Sequence, residues 1–259
     1  MNKRGYRGLS SKDAREIRQR GHDDALEFAR AIGMNADYKN DKVAKKDVID
    51  LSGDAHSVKG GDKKWQIFLY RQNRFSTDEI FATMNGIGQL LINCINSFPE
   101  TYEEYIINKE YYRDKLKPNM RALATKLSER DRFKAFLSKS MFNGGEVDYL
   151  SIKHDGKFHI FYYKDVLDVF DKHIIITNSK ARCSSQKDDQ KVVFKCNGTT
   201  IGEVEMRNDS KIHFREIRFN MMKPKVMLLL FSTINKTGEF SKKISLYGQA
   251  NKKFGNWEK

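Results

Sequence analysis

Residues 47–59 read DVIDLSGDAHSVK, and this stretch decides the fold prediction. Two short runs of strand type flank the turn residues Ser52-Gly53-Asp54, which is the pattern of a β-hairpin. With a three-residue loop, Asp47 lies opposite Lys59. Side chains alternate between the two faces of a strand, so Ser57 and Lys59 share a face, and Asp47 joins it from the neighbouring strand.

This hairpin predicts a hydrolytic site. An acid and an amine within about 5–6 Å on adjacent strands suit metal-assisted hydrolysis of a phosphodiester. Asp47 holds a divalent cation, which lowers the pKa of a bound water, and Lys59 orients or deprotonates that water and offsets charge in the transition state. A two-residue loop at Gly53-Asp54 places Asp50 opposite Ser57 instead, so Asp50 is the alternative acid.

Asp47 followed by Ser57-Val58-Lys59 resembles the signature of the PD-(D/E)xK nucleases, in the variant where serine replaces the middle acid. Several type II restriction endonucleases carry that variant, and in them a glutamate from elsewhere supplies the missing carboxylate. Position 46 is Lys46, where the family usually has proline. The resemblance covers residues 20–75 best. It implies a restriction-endonuclease-like core, a central mixed sheet flanked by helices, and Mg²⁺ as cofactor.

The resemblance also implies a further acid on the helix before the hairpin. Glu27 matches that position, so Asp47 and Glu27 are the expected metal ligands. The alternative interpretation of Glu27 is a solvated surface glutamate.

The charge of the chain indicates the class of partner. The sequence has 48 Lys and Arg residues against 34 Asp and Glu residues, a formal net charge of +14. A surplus of this size favours binding to a polyanion. The three cysteines, Cys94, Cys183 and Cys196, are scattered, which favours a reducing compartment without structural zinc. No apolar run reaches the roughly 20 residues that span a membrane, and no secretory segment opens the chain, so a cytoplasmic location is expected.

The remaining pattern predicts an α+β protein whose C-terminal part is rich in strands. One division is a catalytic core with a helical segment at 1–145 and a strand-rich DNA-recognition part at 146–259, and the alternative is one continuous domain. The last stretch, 235–259, is polar and basic and is expected to be partly mobile. Helices are predicted at 10–33, 77–98, from Thr101, from Pro118 to about Leu137, and at 164–171. Strands are predicted at 147–153, 157–163, 172–177, 191–196, 199–206, 211–220 and 225–234.

Residues 203–220 form the candidate DNA-reading hairpin, because donors and acceptors for base edges in the major groove gather around its tip. A charged hairpin tip that is merely solvated is the alternative, and the loop Ser184-Ser185-Gln186-Lys187 is a weaker candidate for backbone contact. The candidate DNA-binding residues are Arg207, Asn208, Asp209, Ser210, His213 and Arg215.

Together these features predict a type II restriction endonuclease that hydrolyses double-stranded DNA with Mg²⁺. Two other hypotheses stay open. One is a non-catalytic nucleic-acid-binding protein in which the hairpin is structural, and the other is a nuclease of the same superfamily that acts on RNA or branched DNA. Palindromic sites are commonly cut by twofold dimers, so a homodimer is expected.

Overall fold

The computed structural model describes residues 11–35, 46–179 and 189–255. The helices are α1 (Ser11–Ala31), α2 (Gln72–Thr77), α3 (Glu79–Thr83), α4 (Ile87–Asn96), α5 (Tyr102–Ile107), α6 (Lys109–Leu127), α7 (Arg130–Phe142), α8 (Tyr163–His173), α9 (Lys223–Thr233) and α10 (Ala250–Lys253). The strands are β1 (Val48–Ile49), β2 (Ala55–Lys59), β3 (Lys64–Tyr70), β4 (Tyr149–His154), β5 (Lys157–Tyr162), β6 (Ile175–Asn178), β7 (Lys191–Cys196), β8 (Thr199–Arg207), β9 (Glu216–Met222), β10 (Lys236–Ser241) and β11 (Ile244–Tyr247).

The strands form two sheets, and the predicted α+β class is confirmed. The first sheet is mixed, with the order β1-β2-β4-β5-β11-β10, and the second is antiparallel, with the order β3-β9-β8-β7-β6. In the first sheet β2 runs parallel to β4, and β5 runs parallel to β11. Each sheet combines strands from before and after residue 145, so sheet hydrogen bonds cross the predicted domain boundary.

The two faces of the first sheet pack against different partners. On one face, Phe28 and Ala29 of α1 share a buried cluster with Val58 of β2. On the other face, Leu150 and Ile152 of β4 belong to the larger core that also contains the second sheet. Because side chains alternate along a strand, this arrangement turns Val58 toward α1 and turns Ser57 and Lys59 away from it. The faces of β2 are therefore chemically distinct.

Several helices differ from the prediction. The continuous helix predicted over 77–98 is wrong, because Asn85 and Gly86 adopt positive φ and separate α3 from α4. The extended backbone of Asp78 separates α2 from α3. Asp78, rather than Thr77, caps α3 by accepting hydrogen bonds from two backbone N–H groups. The prediction of a helix start at Pro118 is also wrong, since α6 runs through that proline.

The strand predicted at 225–234 is helix α9. Pro224 lies in its first turn, where a missing N–H costs nothing. Val226, Met227 and Leu230 are buried while Leu228 is exposed, which is a helical rather than an alternating pattern. The run of apolar residues is equally compatible with a buried strand, and the sequence pattern alone did not distinguish a strand from a helix.

Residues 235–255 of the polar segment contain β10, β11 and α10, so the expectation of a partly mobile end is wrong for those residues. Ile244, Ser245, Leu246 and Tyr247 are all buried, because β11 is inserted between β5 and β10. Its burial depends on a pairing with β5, more than eighty residues earlier in the chain. No helix in the described part of the chain has the length and apolar character needed to cross a membrane.

Candidate active site

The hairpin formed by β1 and β2 has a different register from the predicted one. Val48 pairs with His56 and Ile49 pairs with Ala55, so Asp47 lies opposite Ser57. The prediction that Asp47 lies opposite Lys59 is therefore wrong by two residues. The turn closes around Asp50, whose Oδ1 atom accepts hydrogen bonds from backbone N–H groups within the turn. That internal cap sets the register.

Despite the shift, the structure brings the predicted trio together around one carboxylate. The Oδ2 atom of Asp47 accepts a hydrogen bond from the Val58 N–H at 2.8 Å. Ser57 Oγ and Lys59 Nζ each lie 3.4 Å from the same oxygen. The Asp47 side chain is 34% exposed and that of Lys59 is 23% exposed. The cluster is thus fixed by the hairpin and accessible to a substrate.

Asp50, the alternative acid, lies away from this cluster. Its Oδ2 atom is 3.1 Å from His56 Nε2, and His56 Nδ1 is 2.9 Å from Ser151 Oγ on β4. All three residues are buried, and the His56 ring stacks on Tyr149. The composition is that of a Ser-His-Asp chain, which the sequence did not indicate, but no substrate can reach it. Its role in the structure is to tie the hairpin to β4.

Glu27 is placed on the α1 side of the first sheet. Its Oε2 atom lies 2.7 Å from Lys153 Nζ, and Asp24 Oδ1 is also 2.7 Å from that nitrogen. Burial lowers the pKa of Lys153, but the hydrogen bonds and charges of Asp24 and Glu27 outweigh it, and the net pKa is raised. The structure therefore pairs Glu27 with Lys153 and does not bring it to Asp47. Sequence reasoning missed Lys153, although Ser151-Ile152-Lys153 repeats the Ser-x-Lys spacing.

The loop after β2 is held tightly. A Cβ atom at Gly60 would lie 1.7 Å from Asp24 Oδ2, and Gly61 has a φ of +69°, so glycine suits both positions. Lys223 Nζ donates to the Gly61 carbonyl at 2.6 Å and to the Lys153 carbonyl at 2.7 Å. Burial lowers the pKa of Lys223, against the opposing charges of neighbouring acids. Lys223 thus joins this loop to both sheets.

The oxygen atoms around Lys59 define what a cation could bind. Asp47 Oδ2 and the Val58 carbonyl oxygen each lie 3.4 Å from Lys59 Nζ, so both oxygens face the same amine. Within residues 11–35, 46–179 and 189–255, no group of three His, Cys, Asp or Glu side chains is arranged to hold a metal ion. Mg²⁺ typically keeps several waters and binds through one or two carboxylates. A Mg²⁺ ion held at Asp47 would therefore take most of its ligands from water.

The candidate DNA-reading hairpin is shorter than predicted. β8 ends at Arg207 and β9 begins at Glu216, so the strand predicted from residue 211 is wrong over 211–215. These residues belong to a loop in which Arg215 has a φ of +60°. Phe214 packs against Phe98, in the segment that follows α4, so the loop does not extend the sheet.

Most charged groups around this loop have acidic or polar partners. Arg207 forms a two-point contact with Asp209, at 2.6 and 3.2 Å. His213 Nδ1 lies 2.8 Å from Glu216, and Arg215 bonds to Asn96 at 3.0 Å and contacts Glu100. Asn208 and Ser210 are half-buried beside them, and the Ser210 hydroxyl accepts from the His213 N–H at 3.3 Å. The weaker candidate at Ser184 to Lys187 lies outside the described residues.

Comparison of the chain with protein-family models, curated proteins and solved structures finds no match. The function must therefore be argued from the residues and their geometry.

Proposed function

We propose that the protein is a Mg²⁺-dependent, sequence-specific endonuclease of double-stranded DNA, of the type II restriction class. The observation that carries the proposal is the contact of Ser57, Lys59 and the Val58 N–H with one carboxylate oxygen of Asp47. A half-exposed acid beside an amine, in a chain with a net charge of +14, suits hydrolysis of a phosphodiester.

Each residue of the cluster has a distinct role in this proposal. Lys59 orients the attacking water and offsets the negative charge that develops on the phosphate. Ser57 and the Val58 N–H hold the Asp47 carboxylate in a fixed position, since both bond to the same oxygen. Gly61, where an added Cβ would meet nothing within 4 Å, leaves the adjacent backbone open to a phosphate, whereas Gly60 packs against Asp24.

Asp47 and the Val58 carbonyl are the groups that would hold Mg²⁺. When bound, the ion supplies charge neutralisation and acidifies a bound water. Because one carboxylate and one carbonyl give few protein ligands, the remaining positions are left to water and to phosphate oxygens of the substrate. Glu27 is not needed in this arrangement, because its carboxylate is paired with Lys153.

Sequence specificity is assigned to the 208–215 loop and its flanking residue Arg207. A guanidinium held in a plane by Asp209 is ready for two-point recognition of a base edge. A homodimer belongs to the same proposal, since its twofold symmetry matches that of a palindromic site. The proposal also places the protein in the cytoplasm.

A second candidate is a nucleic-acid-binding protein without catalysis. It is favoured by the pairing of Asp24 and Glu27 with Lys153, which leaves Asp47 as the carboxylate of the cluster. A nuclease acting on RNA or branched DNA is the third.

A plasmid assay separates the three. Incubation with Mg²⁺ should give discrete fragments, and EDTA should prevent them. A gel shift without cutting supports the second candidate, and cleavage without fixed positions in duplex DNA supports the third.

A further inference from the structure

The second sheet has one face packed in the core and one face open. Val192, Val204 and Phe219 are fully buried against the helices. The residues that alternate with them, including Lys191 and Glu203, point to the opposite face. There a groove of about 930 Å³ runs across β3, β9, β8 and β7. We call it the open-face groove.

The floor of the open-face groove is close to neutral. Glu203 lies 2.9 Å from Lys64 Nζ and 3.1 Å from Lys191 Nζ, and Glu205 contacts both Lys191 and Arg218. Burial raises the pKa of Glu203, but the charges and hydrogen bonds of Lys191 and Lys64 outweigh it, and the net pKa is lowered. Glu203 is therefore ionised, and both acids of the floor are matched by cations.

The rim of the groove carries an excess of positive charge. Lys195 and Lys225 line it, and among the described residues neither has an acid within ion-pair distance. Lys225 Nζ donates to the Thr200 carbonyl at 3.0 Å, which orients the amine at the rim. Arg113 adds a third cation, paired at 3.4 Å with an exposed glutamate. A neutral floor beneath a positive rim is complementary to a chain of phosphates.

One end of the groove lies next to the candidate active site. Lys64, at the start of β3, lines the groove and follows Lys59 by five residues. The Trp65 indole N–H donates to the Gly60 carbonyl at 2.9 Å. Lys223 lies in the sequence between the groove-lining residues Met222 and Lys225, and it donates to the Gly61 carbonyl. The loop that follows Lys59 is therefore in contact with the β3 end of the groove.

We propose that the sugar–phosphate backbone of one strand of the nucleic-acid substrate lies in the open-face groove, contacted by Lys195 and Lys225. This inference rests on the proposed function, because it takes the substrate to be nucleic acid. The groove has the volume of a small-ligand pocket, so it accepts the edge of one strand and not a whole duplex. Lysine contacts to phosphate fix the position of the substrate without reading sequence.

The test is the salt dependence of binding to a duplex of random sequence, in Ca²⁺. Lys195→Gln with Lys225→Gln should remove two phosphate contacts, weaken binding, and lower the slope of log K against log salt by about two. The control is Lys164→Gln with Lys172→Gln, the same change at two exposed lysines of α8. The control should keep the wild-type slope.

An unchanged slope in the Lys195 and Lys225 variant overturns the inference while leaving the proposed function intact. Equal loss in the control overturns it too, because the effect is then one of net charge. Failure of the wild type to bind any nucleic acid overturns both. If the double variant unfolds, Lys225→Gln alone, at an exposed position, should lower the slope by about one, and no change would contradict the proposal.

Discussion

The Nε2 atom of His56 lies 3.1 Å from the Oδ2 atom of Asp50, and both side chains are fully buried. This contact gives Asp50 a different role from that of Asp47. Asp50 closes the turn from inside the protein, whereas Asp47, three residues earlier, has its carboxylate partly in solvent. One acid stabilises the fold and the other is available for chemistry.

Asp50→Ala should therefore lower the free energy of unfolding by about 3 kcal/mol, since it leaves His56 and two turn N–H groups without their acceptor. Asp47→Ala loses one well-formed hydrogen bond and should cost about 1 kcal/mol. Urea unfolding of both variants measures the difference. A larger loss of stability for Asp47→Ala than for Asp50→Ala would show that the two roles are reversed.

Glu27→Ala should leave catalysis close to that of the wild type. Asp24 still holds Lys153 at 2.7 Å, so the ion pair survives in part, and the exposed Glu27 contact contributes less than about 1 kcal/mol to stability. Initial cleavage rates over a range of Mg²⁺ concentrations provide the measurement. A strong loss of activity that excess Mg²⁺ restores would instead make Glu27 a metal ligand, as the resemblance implies.

The local parts of the fold were predictable and the long-range parts were not. Helix α1 and strands β5 and β7 match their patterns because capping residues, turns and alternation are encoded within each segment. β11 could not be predicted, because its burial depends on pairing with distant β5. The same reason applies to the turn at Asp50, whose closure depends on His56 being buried against β4.

Asp78 should make the free energy of unfolding depend on pH in the acid range. Burial raises the pKa of Asp78, but the hydrogen bond and charge of Lys139, 2.9 Å away, outweigh it and the net pKa is lowered. The stabilisation is complete above the ordinary carboxyl pKa of about 4, and it is lost as the pH falls through the lowered value in the folded protein. Asp78→Ala should cost about 3 kcal/mol at neutral pH, since it leaves Lys139 buried without a charge partner.

Unfolding of the wild type and of Asp78→Ala, measured between neutral pH and the acid range, checks this expectation. The difference between the two proteins should shrink only below pH about 4. A difference that stays constant through the acid range would mean that the Asp78 charge contributes nothing.

Arg207 and Arg215 should respond differently to substitution. Arg207 is 14% exposed but, among the described residues, pairs only within the tip, with Asp209, which is 58% exposed. The pair can therefore rearrange together toward a base, and Arg207→Ala should relax discrimination at one base position by about 1–3 kcal/mol. Arg215 is tied to Asn96 and Glu100 outside the loop, so Arg215→Ala should mainly lower stability. Competition binding in Ca²⁺ with single base changes in the mapped site distinguishes the two. If Arg207→Ala binds cognate and altered sites in the wild-type ratio, the tip does not read bases.

The candidate site shows the same division between what was and was not predictable. The spacing of Asp47, Ser57 and Lys59 was sufficient to bring them together, because a hairpin tolerates a shift of two residues when all three lie on one face. Lys153, which pairs with Glu27, and Lys223, which holds the loop at Gly61, were not indicated, because they come from β4 and from the β9–α9 junction. The open-face groove likewise depends on the pairing of β7, β8, β9 and β3, which no local pattern specifies.

Cleavage by a Lys59→Gln enzyme under single-turnover conditions tests the central claim most directly. Lys59 contacts Asp47 at the surface, so its loss should leave the fold and the affinity for duplex DNA in Ca²⁺ nearly unchanged. With Mg²⁺, the rate of cutting should fall by at least about a hundredfold, because the water and the developing charge lose their partner. Lys164→Gln, at an exposed lysine of α8, should cut like the wild type. A Lys59→Gln enzyme that cuts at the wild-type rate would contradict the assignment of Asp47, Ser57 and Lys59 as the catalytic site.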